Sequence, residues 1–272
     1  MQKTFFEKEL AISGTQRKDG ANNTKKEVRK IQSWLTLFSM ANPSAATATG
    51  IDGNFGKATE KAVKNFQEIK GVPQTGVVDE ETFELLSAPM RTAFTKQSPG
   101  ADLRTLIVNT AKSHLPSHPF ELVIDKQPNS GPWVRAYMDG NEGEEWLWCM
   151  GFVQSIIDQA ASVQGKDFKK LMPQTYSCDR VASVGLEKGI LFRNSTIRSN
   201  PSLAKPGDIF LLQKSSNDWM HTGIIIDIDD DVFETVEGNT NNGGSNNGNA
   251  VLRRIRNFTK SKLDVFSIQS LV

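Results

Sequence analysis

The feature that most restricts how this chain can fold is a pair of apolar segments on either side of Asp229-Asp230-Asp231. Trp219-Met220-His221-Thr222-Gly223-Ile224-Ile225-Ile226-Asp227 reads as a buried strand with His221 at its start. Val232-Phe233-Glu234-Thr235-Val236-Glu237-Gly238-Asn239 reads as the strand returning from that polar turn. Folding about Asp229 sets His221 close to Glu237, because the turn lies midway between them. Strand side chains alternate faces, so Glu237 and Asn239 are expected to point the same way, whichever of them stands beside His221. Upstream, Lys205-Pro206-Gly207-Asp208 is a turn that feeds a further strand, Ile209 to Leu212.

The second feature is a thiol. In Glu144-Glu145-Trp146-Leu147-Trp148-Cys149-Met150-Gly151-Phe152-Val153, Cys149 opens a helix whose residues Val153, Ile156, Ile157 and Ala160 recur at helical spacing. The positive end of a helix favours thiolate and lowers a thiol's pKa. Glu144 and Glu145 suit the same field. Taken singly, Cys149 reads as a small core residue and His221 as a strand-end histidine. Taken together, the chain offers nucleophile, base and orienting group in the order Cys149, His221, Glu237 or Asn239. A carboxylate or amide beside an imidazole fixes its tautomer and steadies the imidazolium, so the ring can take a cysteine's proton. Cys178, with a Pro-containing approach and Asp179 beside it, lacks an activating positive charge and reads as structural. One of Trp146 and Trp148 is expected in the core.

Several function classes are excluded. A formal net charge of +1 over 272 residues gives no basic excess for nucleic acid or an anionic membrane surface. No apolar run is long enough to span a bilayer. Two cysteines make no disulfide scaffold. His114 and His118 have Pro116 between them, which argues against a helical two-histidine metal site, and both read as loop residues. A Gly-x-Ser-x-Gly elbow is missing. The first ten residues, Met1 to Leu10, lack the apolar core of a secretory signal, so synthesis without a general export signal is expected.

In the N-terminal third, Thr24-Lys25-Lys26-Glu27 has the form of a capping box. Val28, Ile31, Leu35 and Phe38 continue it as an amphipathic helix. Gly50-Ile51-Asp52-Gly53-Asn54-Phe55-Gly56 is a turn before a helix burying Ala62, Val63 and Phe66, and Thr75-Gly76-Val77-Val78-Asp79 before Thr82, Phe83, Leu85 and Leu86 echoes it. Turn-then-helix twice predicts a small three-helix unit with internal similarity. Pro89 to Gly100 reads as linker, and Leu103, Leu106, Ile107, Thr110 and Ala111 as the helix opening a second domain.

Asp52-Gly53-Asn54-Phe55-Gly56, Thr59, Ala62-Val63, Phe66-Gln67 and Thr75-Gly76-Val77-Val78-Asp79 resemble the peptidoglycan-binding-domain-1 family over about residues 24–90, with the Met40–Thr49 loop as a departure. Trp148-Cys149, Phe152-Val153, Pro206-Gly207-Asp208, His221-Thr222-Gly223-Ile224 and Glu237-Gly238-Asn239 resemble the cysteine, histidine-dependent amidohydrolase/peptidase (CHAP) family over about 101–272. The two resemblances imply an α+β chain: a small N-terminal three-helix wall-binding domain (1–94), a linker (95–100), and a papain-like α+β domain (101–272) with a helix packed on an antiparallel sheet. They imply a peptidoglycan hydrolase that cuts an amide of the cell-wall peptide through a cysteine thioester. Cys149 would be nucleophile, His221 base, and Glu237 with Asn239 the orienting groups. Amidase and endopeptidase are both open, as are an inactive wall-binding protein and an amide-transferring enzyme. L,D-transpeptidases also pair with such binding domains, but there the nucleophilic Cys follows the His, the reverse of the order here.

The expected partner is bacterial peptidoglycan, with an immunity protein or secretion-system carrier if the chain is an effector; a monomer is expected. It would reach the wall through a phage pore or a specialised secretion system. No cofactor is required. The acidic, glycine-broken loop Asp139–Glu145 departs from the EF-hand pattern, and a solvated loop or substrate rim is the reading set beside a Ca²⁺ site. The Asn/Gly run Asn239–Asn249 reads as a long surface loop beside the hairpin, the alternative being a gate for the cleft.

Overall fold

The computed structural model describes residues 1–243 and 247–272. In chain order the elements begin α1 (Phe6–Glu9), α2 (Lys25–Ala41), α3 (Lys57–Lys70), α4 (Glu80–Thr95), α5 (Leu103–His114), β1 (Leu122–Ile124), β2 (Gln127–Ser130) and α6 (Pro132–Tyr137). They continue with α7 (Cys149–Val163), α8 (Cys178–Glu187), β3 (Leu191–Phe192), α9 (Asn194–Ser199), β4 (Ile209–Ser215), β5 (Asp218–Asp229), β6 (Val232–Thr240), β7 (Ala250–Asn257) and β8 (Leu263–Phe266). The chain is therefore mixed helix and antiparallel sheet. Among the described residues no helix is long and apolar enough to cross a membrane.

The chain divides into two units. A helical unit comprises Thr4–Thr95 and Phe120–Glu145, and a sheet unit comprises Met1–Lys3, Lys96–Pro119 and Trp146–Val272. This corrects the expectation that 101–272 forms one domain: 120–145 goes with the helical unit. The reason is aromatic. Trp133 and Tyr137 of α6 are buried, Trp133 edge-on to Trp34 at 6.2 Å and Tyr137 5.7 Å from Phe94. The acidic loop Asp139–Glu145 belongs to the same unit. Pro89 is also not linker, for α4 runs through it to Thr95 because Met90, Ala93 and Phe94 are buried.

The helical unit carries the expected repeat in its hydrogen bonds. Gln32 Nε2 donates to Asp52 Oδ1 and to the Asn54 carbonyl, while Gly53 N donates back to Gln32 Oε1. Gln67 repeats the device, donating to the Val77 carbonyl and accepting from Gly76 N. A buried glutamine thus pins each turn to the helix before it, and satisfies turn amides that would otherwise be costly to bury. Thr24 caps α2 by accepting from Glu27 N. In the Met40–Thr49 departure, α2 persists to Ala41, and Thr47 Oγ1 donates to the Leu35 carbonyl.

In the sheet unit the strand order is β3-β8-β4-β5-β6-β7, with antiparallel pairing throughout. β5 and β6 form the expected hairpin, with Ile224 opposite Val236 and Ile225 opposite Thr235. Phe210, Ile225 and Phe233 pack with Phe258, Leu263 and Val265 into a core on one sheet face. Helix α7 is more buried than its amphipathic spacing predicts: every residue from Cys149 to Ala161 is inside. Such a helix is central to its unit, not surface-laid. Gly238 lets it approach β6, since a Cβ there would lie 2.6 Å from Phe152 Cβ and 3.0 Å from the Trp148 ring. His114 is not a loop residue. It ends α5, fully buried, against Gln159 at 3.0 Å, and burial pushes its pKa down to about 4.

Candidate active site

Three of the four singled-out side chains converge. Continuing the β5–β6 register from Ile224 and Val236 places Glu237 opposite Gly223, with His221 one same-face position further along β5. Gly223 offers no side chain, and the Glu237 stem takes that space: a Cβ at 223 would lie 2.7 Å from Glu237 Cγ. The carboxylate so reaches His221, whose Nε2–H donates to Glu237 Oε2 at 2.9 Å. The other ring nitrogen, Nδ1, is buried with no nitrogen or oxygen partner among the described residues. It is the nitrogen left for the Cys149 sulfur, which interacts with the ring.

Glu237 is itself held from three sides. Thr235 Oγ1 donates to Oε1 at 2.6 Å, and Arg256 gives Nε to Oε1 at 2.6 Å and a second nitrogen to Oε2 at 2.7 Å. Arg256 lies over the Phe210 ring, 4.6 Å from its centroid. Burial alone would raise the carboxyl's pKa, but the bonds and charge of Arg256, then of His221, hold it down at about 2. An ionised Glu237 is an acceptor only, which fixes Nε2 as the donor. Arg256 was not singled out in the sequence, although its place in a basic strand after the hairpin, Arg253-Arg254-Ile255-Arg256, is the signal that could have found it.

Asn239 does not join His221. It is fully buried, sits at φ +56°, and neither amide atom has a hydrogen-bond partner among the described residues. The ladder is irregular between Glu237 and Thr240, so the alternation expected to carry Asn239 with Glu237 breaks there. Of the Asn239–Asn249 run, Gly244 to Asn246 lie outside the described residues.

Cys149 is the first residue of α7 and is 3 % exposed. No side chain caps this helix start. The thiol's pKa lies well below its ordinary value: a hydrogen bond from Cys178 contributes most, burial opposes, and the His221 bond and charge with the Met150 amide assist. Cys178, read from the sequence as structural, also acts on the Cys149 thiol. It starts α8, capped by Ser177, and its thiol donates to Cys149, so that burial and the neighbouring sulfur push its own pKa well up. Asp179, beside it, accepts from the Trp219 amide at 2.7 Å, tying the start of α8 to β5 two residues from His221. Sequence distance hid this pairing. His221, raised by Cys149 and Glu237 against the effect of burial, reaches a pKa of about 9. Both shifts run in the direction that favours a thiolate facing an imidazolium.

The neighbouring tryptophans separate. Trp148 is fully buried, while Trp146 is half-buried, edge-on to Tyr176 at 5.8 Å. Asp208 is a scaffold residue. It is buried, accepts from Arg104 at 2.8 Å and from the Ile268 amide at 3.0 Å, and burial raises its pKa. Among the described residues no group of three His, Cys, Asp or Glu is placed to hold a metal. In the acidic loop, Glu142 is engaged by Arg135 and by the Gly131 amide, both at 2.8 Å.

No curated protein and no solved structure matches the chain. A family model described as a putative peptidoglycan binding domain matches residues 24–86, within the helical unit, and suggests an association with the cell wall.

Proposed function

We propose that the protein is a peptidoglycan hydrolase, with a papain-like sheet unit of the CHAP type that cleaves an amide of the wall peptide. The observation that carries this reading is the buried chain Cys149–His221–Glu237–Arg256, in which the thiol's pKa is lowered and the imidazole's is raised. The Cys149 thiolate attacks the amide carbonyl and the C–N bond breaks as the His221 imidazolium gives its proton to the leaving amine. His221, now neutral, takes a proton from water. The hydroxide adds to the thioester carbonyl and the C–S bond breaks, restoring the thiolate and releasing the carboxylic acid, which gives its proton to solvent. First-turn N–H groups of α7 stabilise the oxyanion, and the unpartnered amide of Asn239 supplies a further donor to it or to the substrate. Glu237 orients the imidazole, and Cys178 steadies the thiolate between turnovers.

The bond is the N-acetylmuramoyl-L-alanine amide or one within the stem or cross-bridge. The protein acts at the wall after passage through a phage pore or a specialised secretion system. Binding through the helical unit raises the local concentration of the cysteine centre on a polymeric substrate.

A second reading is a wall-binding protein whose cysteine centre is inert; it is favoured by the 3 % exposure of Cys149. Purified sacculi incubated with wild type and with Cys149→Ala separate the two. Loss of turbidity with wild type alone supports hydrolysis, whereas equal curves discard it. Mass spectrometry of the released muropeptides identifies the bond and distinguishes water from an amine acceptor.

A further inference from the structure

The sheet unit holds both cysteines of the chain, and both are free thiols. Cys149 is the first residue of α7 and Cys178 the first of α8, and each is buried. Though far apart in sequence, their side chains are in hydrogen-bond contact. The hydrolysis proposed above makes and breaks bonds at Cys149 alone. A serine hydroxyl would also donate to the Cys149 thiolate, so hydrogen bonding by itself does not call for a second sulfur there.

Cys178 is held in that place on both sides. Before it, the fully buried Gln154 of α7 donates Nε2 to the Pro173 carbonyl at 2.9 Å and accepts from the Thr175 amide at 3.2 Å. Tyr176 lies edge-on, at 5.8 Å, to Trp146 in the approach to Cys149. After it, Asp179 accepts from the Trp219 amide at 2.7 Å, which fixes the start of α8 to β5 close to His221. These contacts bind the segment around Cys178 to α7, to its approach and to β5. The two sulfurs are thus kept together by contacts that neither sulfur makes.

We propose that Cys149 and Cys178 form an oxidation site for hydrogen peroxide, in which Cys149 reacts first and Cys178 closes the product to an intramolecular disulfide. Peroxide is barely larger than water, which suits a thiol only 3 % exposed. Cys149, its pKa held well below the ordinary value, attacks as thiolate; an S–O bond forms, the O–O bond breaks and hydroxide leaves. The His221 imidazolium neutralises that hydroxide. Cys178, its pKa pushed up, still carries its proton. Its sulfur attacks the sulfenic acid, the S–O bond breaks, and the departing hydroxide takes the Cys178 proton as water. Each sulfur has given up one electron to the peroxide oxygens, and one peroxide has become two waters.

The second sulfur decides where oxidation stops. A low-pKa cysteine with no thiol beside it goes on from sulfenic to sulfinic acid, which thiols do not reverse. With Cys178 in contact, the sulfenic acid is captured as a disulfide that a thiol reductant opens again. Closing to an S–S bond of about 2.05 Å draws the starts of α7 and α8 together. It also takes out of use the sulfur that interacts with the His221 ring. The resulting loss of hydrolysis rests on the hydrolase reading; the oxidation itself does not.

The test treats the folded full-length protein with hydrogen peroxide, then denatures it, blocks the remaining thiols with iodoacetamide and maps the peptides by mass spectrometry. Wild type loses both alkylation sites together and yields one linked peptide pair, Cys149 to Cys178; dithiothreitol restores both thiols. In Cys178→Ala and Cys178→Ser, Cys149 gives a sulfenic acid that dimedone traps, then a sulfinic acid that dithiothreitol leaves unchanged. Wild type that keeps both thiols, that cross-links only between molecules, or that reaches Cys149 sulfinic acid as fast as the two variants overturns the proposal. Turbidity of sacculi keeps the two readings apart. Peroxide-treated wild type loses its clearing of sacculi and regains it with dithiothreitol. A protein that forms the disulfide but clears sacculi in neither state keeps this site and loses the hydrolase reading. One that clears sacculi yet gives only sulfinic acid does the reverse.

Discussion

The Glu237 side chain lies in the space that a side chain at Gly223 would fill, with only 2.7 Å between a Cβ there and Glu237 Cγ. The hairpin partner of the acid is therefore a glycine for a steric reason, and the acid's reach to His221 depends on it. Gly223→Ala is expected to displace Glu237, costing about 1–3 kcal/mol of stability and most of any Cys149-dependent activity. Chemical denaturation together with turbidity loss of sacculi checks both; an alanine variant with wild-type activity would refute the dependence.

Arg256 is expected to matter as much as His221 to the state of Glu237. Arg256→Met keeps bulk over Phe210 but leaves a buried carboxylate with less compensation, a change worth about 3–5 kcal/mol of stability. The carboxyl's pKa rises, and the acid-side loss of stability moves to higher pH. Denaturant midpoints between pH 3 and 7 report this.

The charge state of the centre fixes the sign of its pH dependence. His221 is raised from 6.5 to about 9, so its contribution to stability is full below 6.5 and lost as pH rises through about 9. Glu237 is lowered from 4.5 to about 2, so its contribution is present above 4.5 and lost as pH falls through about 2. Activity that needs the imidazolium falls along the same alkaline limb. In Cys149→Ala the thiolate that helps raise His221 is gone, so the alkaline loss of stability begins at lower pH. Melting temperatures of both proteins from pH 5 to 10 test the sign.

Cys178→Ala removes the contact that does most to lower the Cys149 pKa. Thiolate absorbance near 240 nm and the rate of alkylation by iodoacetamide should both shift to higher pH. Cys178→Ser, which keeps a donor, should shift less. Identical profiles for wild type and the alanine variant would show that the two sulfurs are uncoupled.

The hairpin, the helix opened by Cys149 and the doubled turn-helix unit were legible because each rests on short-range periodicity or turn chemistry. His221 and Glu237 could be paired from the turn at Asp229 alone. Asn239 could not be placed, because one residue at positive φ ends the alternation on which the inference depended. Cys178 was read as structural because its partner Cys149 lies in another element, and Arg256 was passed over because its partner Glu237 does too, the basic run Arg253-Arg254-Ile255-Arg256 being the one local hint. Residues 120–145 were misassigned for a similar cause: Trp133 and Tyr137 declare a core but not whose core it is.

That last segment has a practical consequence. Between Met1 and Val272 the chain passes from one unit to the other after Lys3, Thr95, Pro119 and Glu145. A single cut cannot free either unit: truncation after Thr95 removes Trp133 and Tyr137 from the helical piece and strands them on the other. Limited proteolysis in the 96–100 segment should leave two fragments that stay together until denatured. The wall-associated and cysteine-bearing halves are thus bound by threading as well as by sequence, and neither can be exchanged as a cassette.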